Sequence, residues 1–234
     1  MQSAYPRLFG TPVSLHYFGE TVSQLNRSIV NDILEEQKKD PEGIVRSNFG
    51  GWHSQNSLEE KYSSFESIKQ LIDKQVRLYT ANHGFMDSVT VDGDPSNERA
   101  VLQTYQLWAN VSSPGDINTP HTHGMDCIAG VYYPADYLID GKLITSYDDD
   151  KLPLGSNIAN GDLDDPGGSL ALLDPSYGKR IGLVPYPQTQ NCSWYHLYPK
   201  AGLLVLFPGY LIHMVTPFKE NKTRMSISFS VRYF

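Results

Sequence analysis

Two segments in the N-terminal part of the chain carry apolar side chains at the spacing of an amphipathic helix. In residues 20–37 and again in residues 64–82, apolar positions recur every three or four residues, and Asp40-Pro41-Glu42-Gly43 ends the first run. Because residues three and four apart share one face of a helix, both segments are predicted to be helices with one buried side. Residues 48–54, between them, have the composition of a loop. We expect Trp52 to pack inside the protein and His53 to lie on its surface, and the alternative is that both line a pocket.

From residue 100 onward the pattern changes to short apolar or alternating runs separated by glycine, proline and polar turns, which is typical of β-strands. An earlier strand is predicted around Pro12. The predicted strands cover residues 8–18, 100–111, 128–133, 169–173, 195–198, 203–207 and 225–231. We therefore predict a mainly β fold with N-terminal helices, in which residues 1–99 form a helical buttress packed on a β-barrel.

Residues 134–168 interrupt the run of strands. They include Asp148-Asp149-Asp150 and three further aspartates between 162 and 165, together with repeated glycine and proline and few apolar residues. We interpret this stretch as a long insertion between two barrel strands, and an acidic run of this kind is normally a solvated loop. The alternative is a lid over a binding site, because long structureless loops in compact domains are often functional.

Composition narrows the class of protein. A chain of 234 residues fits one large domain, spanning residues 1–234. The net charge of -7 argues against nucleic acid or an anionic membrane as the main partner. Cys127 and Cys192 form neither a disulfide framework nor a zinc motif, so a reducing cytoplasm is expected. No run reaches the ~18 consecutive apolar residues that a membrane span needs, so we expect a soluble cytoplasmic protein.

Three histidines are the first candidates for chemistry. His121 and His123 are two residues apart, directly before the apolar run 127–133, and alternate residues of a strand share one face. His213 lies far downstream, at the end of another predicted strand. Two ligands from one strand and a third from a distant strand can hold a metal on one side and leave its other side open. We therefore predict a metal site.

Arg224 and Ser226 are the next candidates, because they lie on the last predicted strand. An arginine among β-branched and apolar residues that face a barrel interior is costly unless it meets an anion. A carboxylate is the natural partner, since it accepts two parallel hydrogen bonds from a guanidinium. The alternative is a guanidinium that extends along the strand to solvent.

The order of these residues, His-x-His, a distal His and then Arg-x-Ser, resembles that of the Fe(II)- and 2-oxoglutarate-dependent oxygenases. The resemblance is closest to a family of such oxygenases that recurs in bacteria and phages and is marked by four motifs. In this chain the motifs occupy residues 47–54, 108–110, 121–133 and 207–213, and so span nearly the whole sequence. The resemblance implies a single oxygenase domain with a double-stranded β-helix (jelly roll) core at 100–234, interrupted by the insertion at 134–168.

The resemblance also implies the cofactors and their ligands. Fe(II) would be held by the three histidines, and Arg224 would bind the distal carboxylate of 2-oxoglutarate, with Ser226 and Tyr133 as hydroxyl donors to the same end. Asn110 would contact 2-oxoglutarate or the substrate. The implied reaction consumes O2, releases succinate and CO2, and hydroxylates a small molecule or a protein side chain. The metal ligands implied are His121, His123 and His213.

Departures from the family pattern leave the implied ligands in place. Ala129 and Gly209 stand where the family often has serine, and Ser230 replaces an asparagine. The wider superfamily has a carboxylate at the position of His123, so a neutral imidazole leaves the site one negative charge short. Asp126 is the alternative ligand, if the chain bulges at the glycine before it. We prefer His123.

Two other functions remain open at the level of sequence. A three-histidine cupin-type dioxygenase activates O2 without a keto acid; it accounts for His123 more readily but leaves Arg224 and Ser226 without a role. A non-catalytic β-barrel binding protein would use the histidines only to contact a ligand. Succinate release that depends on 2-oxoglutarate separates the first reading from both alternatives.

Overall fold

The computed structural model of the chain describes residues 1–4, 7–8, 10–83, 102–147, 167–176 and 194–233. Both predicted helices are present: α1 spans Ser23–Lys39 and α2 spans Ser63–His83. Buried positions in α2 recur at helical spacing, as the apolar pattern predicted, and include Phe65, Ile68, Ile72, Val76 and Tyr79. Neither of these helices has the length and apolar composition that crossing a bilayer would take.

The rest of the described chain is built mainly from strands. The strands are β1 Gln2–Ala4, β2 Arg7–Leu8, β3 Thr11–Pro12, β4 Ser14–Tyr17, β5 Asn48–Phe49, β6 Trp52–His53, β7 Leu102–Ser112, β8 Ile117–His121, β9 Ile128–Tyr133, β10 Tyr137–Ile139, β11 Lys142–Ile144, β12 Leu170–Leu173, β13 Trp194–Leu197, β14 Leu203–Pro208, β15 His213–Val215 and β16 Arg224–Tyr233. From β7 onward the predicted strands agree with these bounds to about two residues.

Two antiparallel sheets form the core of the fold. The larger has the strand order β1-β4-β14-β9-β16-β7-β6, and the smaller has the order β13-β12-β15-β8-β5. Along β14, Leu204 and Leu206 pack in a cluster with residues of the helices, whereas Leu203, Val205 and Phe207 pack in a second cluster with residues of β12 and β13. Alternate residues of a strand point to opposite faces, so the larger sheet lies between the helices and the smaller sheet. The predicted jelly roll buttressed by helices is confirmed.

Residues 1–99 are more than the predicted helical buttress. β1 and β4 extend one edge of the larger sheet, β6 extends its other edge, and β5 extends the smaller sheet. The single predicted strand at 8–18 is also broken into shorter pieces. Strands of two to four residues are too short to show a period of two, and their pairing partners lie far away in sequence, so the apolar pattern alone does not reveal them.

The described part of the 134–168 insertion is not structureless. Residues 137–144 form the β10–β11 hairpin, whose Leu138 exchanges two backbone hydrogen bonds with Thr223, each of 2.8 Å. The strand β9 runs away from the histidines, so the insertion leaves the barrel beside Arg224 rather than beside His121. Most of the acidic run, residues 148–166, and with it the greater part of the predicted lid, lies outside the described residues.

Candidate metal and 2-oxoglutarate site

The three predicted histidines meet in the structure. Strand β8 ends at His121, and β15 begins at His213, which is the direct partner of His121 across the antiparallel ladder. His123 lies in the turn after β8 rather than in the strand itself. Each ring contributes one nitrogen, and these three nitrogens all lie within 4.8 Å of one another. Imidazole nitrogens at this mutual distance can share one metal ion.

Backbone carbonyls orient two of these rings. Nδ1 of His121 donates to the carbonyl oxygen of Thr119 at 2.6 Å, and Nδ1 of His213 donates to that of Leu211 at 2.8 Å. Because a carbonyl oxygen only accepts, Nδ1 carries the proton in both rings and Nε2 keeps its lone pair. Nε2 of His213 lies 3.3 Å from Nε2 of His123. Such carbonyl contacts are the usual way in which proteins orient histidines that bind metals.

Burial keeps the three imidazoles neutral. It lowers the pKa of His213 to about 3 and that of His123 to about 4, with a further decrease from the neighbouring histidines. Burial also lowers the pKa of His121, against the opposing effect of its hydrogen bond to Thr119. Neutral imidazole is the form that binds a metal ion, so these three rings are in the binding state at neutral pH.

Asp126 is engaged elsewhere. Its Oδ1 accepts a hydrogen bond of 2.8 Å from Nε of Arg232 and lies 2.7 Å from the terminal nitrogen Nη2 of that residue. The backbone N–H of His123 donates to the carbonyl of Gly209 at 2.9 Å, which joins the turn 122–126 to the segment before His213. A Cβ on Gly209 would lie 2.1 Å from the carbonyl oxygen of Asp126, so only glycine allows this contact. The serine common in the family would not fit here.

Arg224 is buried, with 1% of its surface exposed, so its side chain does not extend to solvent. Its guanidinium donates to the carbonyl of Gly168 at 3.0 Å, to Oγ of Ser226 at 3.1 Å and to the hydroxyl of Tyr133 at 3.1 Å. Within the described ranges, no carboxylate forms an ion pair with it. A buried guanidinium held only by neutral groups is costly, and a bound anion would offset that cost.

One cavity connects the histidines with Arg224. It has a volume of about 610 Å³ and is lined at one end by the three rings and at the other by Arg224 and Ser226. Asn110 also lines it, with its amide nitrogen donating to Oγ of Ser228 at 3.0 Å. Tyr133 borders Arg224 from behind, with its ring centroid 5.1 Å from the guanidinium carbon. The cavity therefore brings together the three histidines, Arg224, Ser226 and Asn110, whereas Tyr133 is fully buried and meets the site only through its hydrogen bond with Arg224.

Two residues of the cavity were missed or misplaced by the sequence interpretation. His53 is buried and lines the cavity instead of lying on the surface. Trp108, noted only as part of a motif, lies between His53 and His123 and stacks on both rings. The place of Trp108 in the cavity could have been predicted from its position two residues before Asn110 on the same strand, because residues two apart in a strand share one face.

Solved structures share this fold. A prolyl-4-hydroxylase from Pseudomonas putida has 15% identity and a TM-score of 0.57, with 94% of this chain and 91% of that chain covered. HygX from Streptomyces hygroscopicus, solved with nickel and 2-oxoglutarate bound, has 11% identity and a TM-score of 0.54, with 95% and 83% covered. A Trichoplax adhaerens prolyl hydroxylase in complex with a peptide fragment of the hypoxia inducible factor oxygen degradation domain has 12% identity and a TM-score of 0.51, with 93% and 83% covered.

Sequence comparison identifies the family. A search of curated protein sequences gave no match. Residues 106–230 match the family described as "Putative 2OG-Fe(II) oxygenase". The matched segment is more than half of the chain and contains the three histidines, Arg224 and Ser226. The chain therefore belongs to the 2OG-Fe(II) oxygenases, a family of enzymes that use Fe(II) and 2-oxoglutarate as cofactors.

Proposed function

We propose that His121, His123 and His213 are the protein ligands of Fe(II) in this oxygenase. The observation that carries the proposal is the convergence of three neutral imidazoles on one point at the end of a cavity. Three protein ligands leave open positions for 2-oxoglutarate and O2. Asp126 is not needed as a ligand, because its carboxylate is already paired with Arg232.

We propose that Arg224 binds the distal carboxylate of 2-oxoglutarate. The buried guanidinium fits this dicarboxylate because it faces the same cavity as the histidines and lacks a described carboxylate partner. The hydroxyls of Ser226 and Tyr133 already accept hydrogen bonds from Arg224, so their own protons can be donated to the carboxylate. Asn110 lies further along the cavity wall, where it contacts 2-oxoglutarate or the substrate.

The residues of the chain bind and orient the cofactors, and the cofactors supply the oxidising chemistry. When bound, Fe(II) and 2-oxoglutarate would supply the activation of O2, and 2-oxoglutarate would leave as succinate and CO2. Arg224 fixes 2-oxoglutarate in one direction, because its guanidinium is locked by the carbonyl of Gly168. The histidines remain neutral at neutral pH because burial lowers their pKa, so each ring keeps one nitrogen lone pair for the metal.

The proposed reaction is hydroxylation of a C–H bond in a small molecule or a protein side chain. Solved relatives of this fold include one crystallised with a peptide fragment and one that has nickel and 2-oxoglutarate bound. We propose a cytoplasmic location, because the two cysteines of the sequence form neither a disulfide framework nor a zinc motif.

A three-histidine dioxygenase of the cupin type is the second candidate, favoured by the absence of a carboxylate from the histidine cluster. The buried Arg224 has no role in that reaction. The test is to supply purified protein with Fe(II) and O2 and to measure succinate with and without 2-oxoglutarate, comparing wild type with Arg224→Gln. The exposed helical variant Arg27→Ala is the matched control. We expect wild type and Arg27→Ala to form succinate from 2-oxoglutarate and Arg224→Gln to form none. If the protein consumes O2 at the same rate with and without 2-oxoglutarate, the reaction is of the cupin type instead.

A further inference from the structure

The rings of His53, Trp108 and the proposed iron ligand His123 form a continuous stack, and the ring of His123 in turn stacks on that of His213 at 5.1 Å. The ring of Trp108 lies 5.9 Å from that of His123, with an angle of 25° between the planes. On its other side, Trp108 lies 5.5 Å from His53, with an angle of 9°. These separations fall in the range of offset-stacked aromatic pairs.

His123 differs from the other two histidines in how its ring is held. Nδ1 of His121 and Nδ1 of His213 each donate to a backbone carbonyl two residues earlier in the chain. No residue in the described part of the chain accepts a hydrogen bond from Nδ1 of His123. His123 also lies in a turn rather than in a strand, so the sheet does not restrict its side chain as it does that of His121. Within the histidine cluster its ring stacks on that of His213 at 5.1 Å, and outside the cluster it stacks on Trp108.

The far end of the stack is anchored to the larger sheet. Nδ1 of His53 donates to the carbonyl of Ser54 at 2.7 Å. The backbone N–H of Ser54 donates to the carbonyl of Ala109 at 3.0 Å, and Oγ of Ser54 accepts the N–H of Ala109 at 2.9 Å. Ala109 is the residue after Trp108, so the strand that carries Trp108 and the strand that carries His53 are joined beside the two rings.

We propose that Trp108 is a positioning residue for the iron ligand His123, with His53 as the fixed base of the stack. Hydrogen bonds to carbonyls orient His121 and His213, and ring stacking orients His123 in their place. The proposal rests on the proposed function, since it takes His123 to be a metal ligand. It gives the ring of Trp108, in the family motif at residues 108–110, the orienting role that a hydrogen bond to a neighbouring group has for most histidine ligands.

The test uses Co(II) alone as the probe, added to the purified full chain without 2-oxoglutarate. Trp108→Leu removes the ring, Trp108→Phe keeps a stacking ring, and His53→Leu removes the base of the stack. The control is Trp194→Leu, because Trp194 is a half-buried strand tryptophan that does not line the cavity. For each variant the readouts are Co(II) affinity, the position and intensity of the visible Co(II) absorption bands, and the melting temperature without metal.

Trp108→Leu is expected to weaken Co(II) binding about 10 to 100-fold, the usual effect of losing an outer-shell partner, and to alter the absorption bands. His53→Leu should weaken binding less and in the same direction, whereas Trp108→Phe and Trp194→Leu should retain the affinity and spectrum of wild type. Should Trp108→Leu not fold, His53→Leu carries the comparison. If Trp108→Leu folds, or otherwise if His53→Leu folds, and that variant keeps the Co(II) affinity and absorption spectrum of wild type, the proposal is wrong. Wild type that binds no Co(II) contradicts the proposed metal site itself, before any variant is compared.

Discussion

Nε2 of His123 and Nε2 of His213 lie 3.3 Å apart, although 90 positions separate the two residues in the sequence. Neither atom carries a charge at neutral pH, because burial lowers the pKa of both rings. Because Nδ1 of His213 carries the proton of that ring, the lone pair on its Nε2 accepts a hydrogen bond from the Nε2–H of His123 when no metal is bound, and a cation can take the place of that proton. The arrangement is therefore that of a site built to receive a cation.

Removing one proposed ligand should abolish iron binding. His213→Ala and His121→Ala each take away one of three protein ligands, which should cost more than the 10 to 100-fold typical of outer-shell changes. The measurement is iron content after anaerobic reconstitution and desalting. The control is His83→Ala, a histidine at the end of α2. Stoichiometric iron in either ligand variant would show that the site is assigned wrongly.

The choice between His123 and Asp126 can be decided by a pair of variants. Asp126→Asn should keep its iron, because the carboxylate pairs with Arg232 and is absent from the histidine cluster. Its loss of stability should be about 0.2–1 kcal/mol, since Arg232 is partly exposed to solvent. His123→Ala should lose its iron. The reverse result, in which iron survives only in His123→Ala, would make Asp126 the third ligand.

Arg224→Ala should weaken 2-oxoglutarate binding by about 2–5 kcal/mol, the cost of breaking a buried charge pair. Iron affinity should stay nearly unchanged, because Arg224 lies at the other end of the cavity from the histidines. Calorimetry measures the first by adding 2-oxoglutarate to the Mn(II)-loaded protein and the second by adding Fe(II) anaerobically to the metal-free protein. Equal 2-oxoglutarate affinity in wild type and variant would mean that the keto acid does not use this arginine.

The stability of the metal-free protein should fall as the pH is lowered from about 6.5 toward 4. The pKa of His213 is lowered to about 3 and that of His123 to about 4, against an ordinary value of 6.5. In this window the unfolded chain binds protons that the folded protein excludes, so protonation favours unfolding. Each such histidine contributes a slope of up to about 1.4 kcal/mol per pH unit.

Urea unfolding of the metal-free protein at several pH values tests this slope. His16 is also buried with a lowered pKa of about 4, so wild type alone does not isolate the site. The His213→Asn variant removes one titrating ring from the cavity and should show a shallower decline than wild type. Parallel curves for the two proteins would mean that His213 does not exclude protons in the folded state.

The sequence by itself determined much of this protein. Helical and strand patterns located α1, α2 and the strands β7, β9, β12, β13, β14 and β16, because burial leaves a recognisable apolar pattern in those segments. The strands β8, β10, β11 and β15 were not predicted. The order of His121, His123, His213 and Arg224 identified the family, because metal and carboxylate chemistry accept few residue types. The apolar strand around Arg224 left open whether its side chain is buried or extends to solvent, and the order of the motifs favoured burial.

The tertiary structure alone decided how the parts are placed. The short strands β5 and β6 form at the edges of β8 and β7, and a two-residue strand has no period to detect. The direction of β9 decided that the 134–168 insertion leaves beside Arg224, since register and direction in a sheet depend on partners distant in sequence. His53 and Trp108 reached His123 in the same way, through pairing of β6 with β7 and closure of the two sheets. Local sequence records which face of a strand is buried, whereas which side chains meet there depends on contacts between residues far apart in the chain.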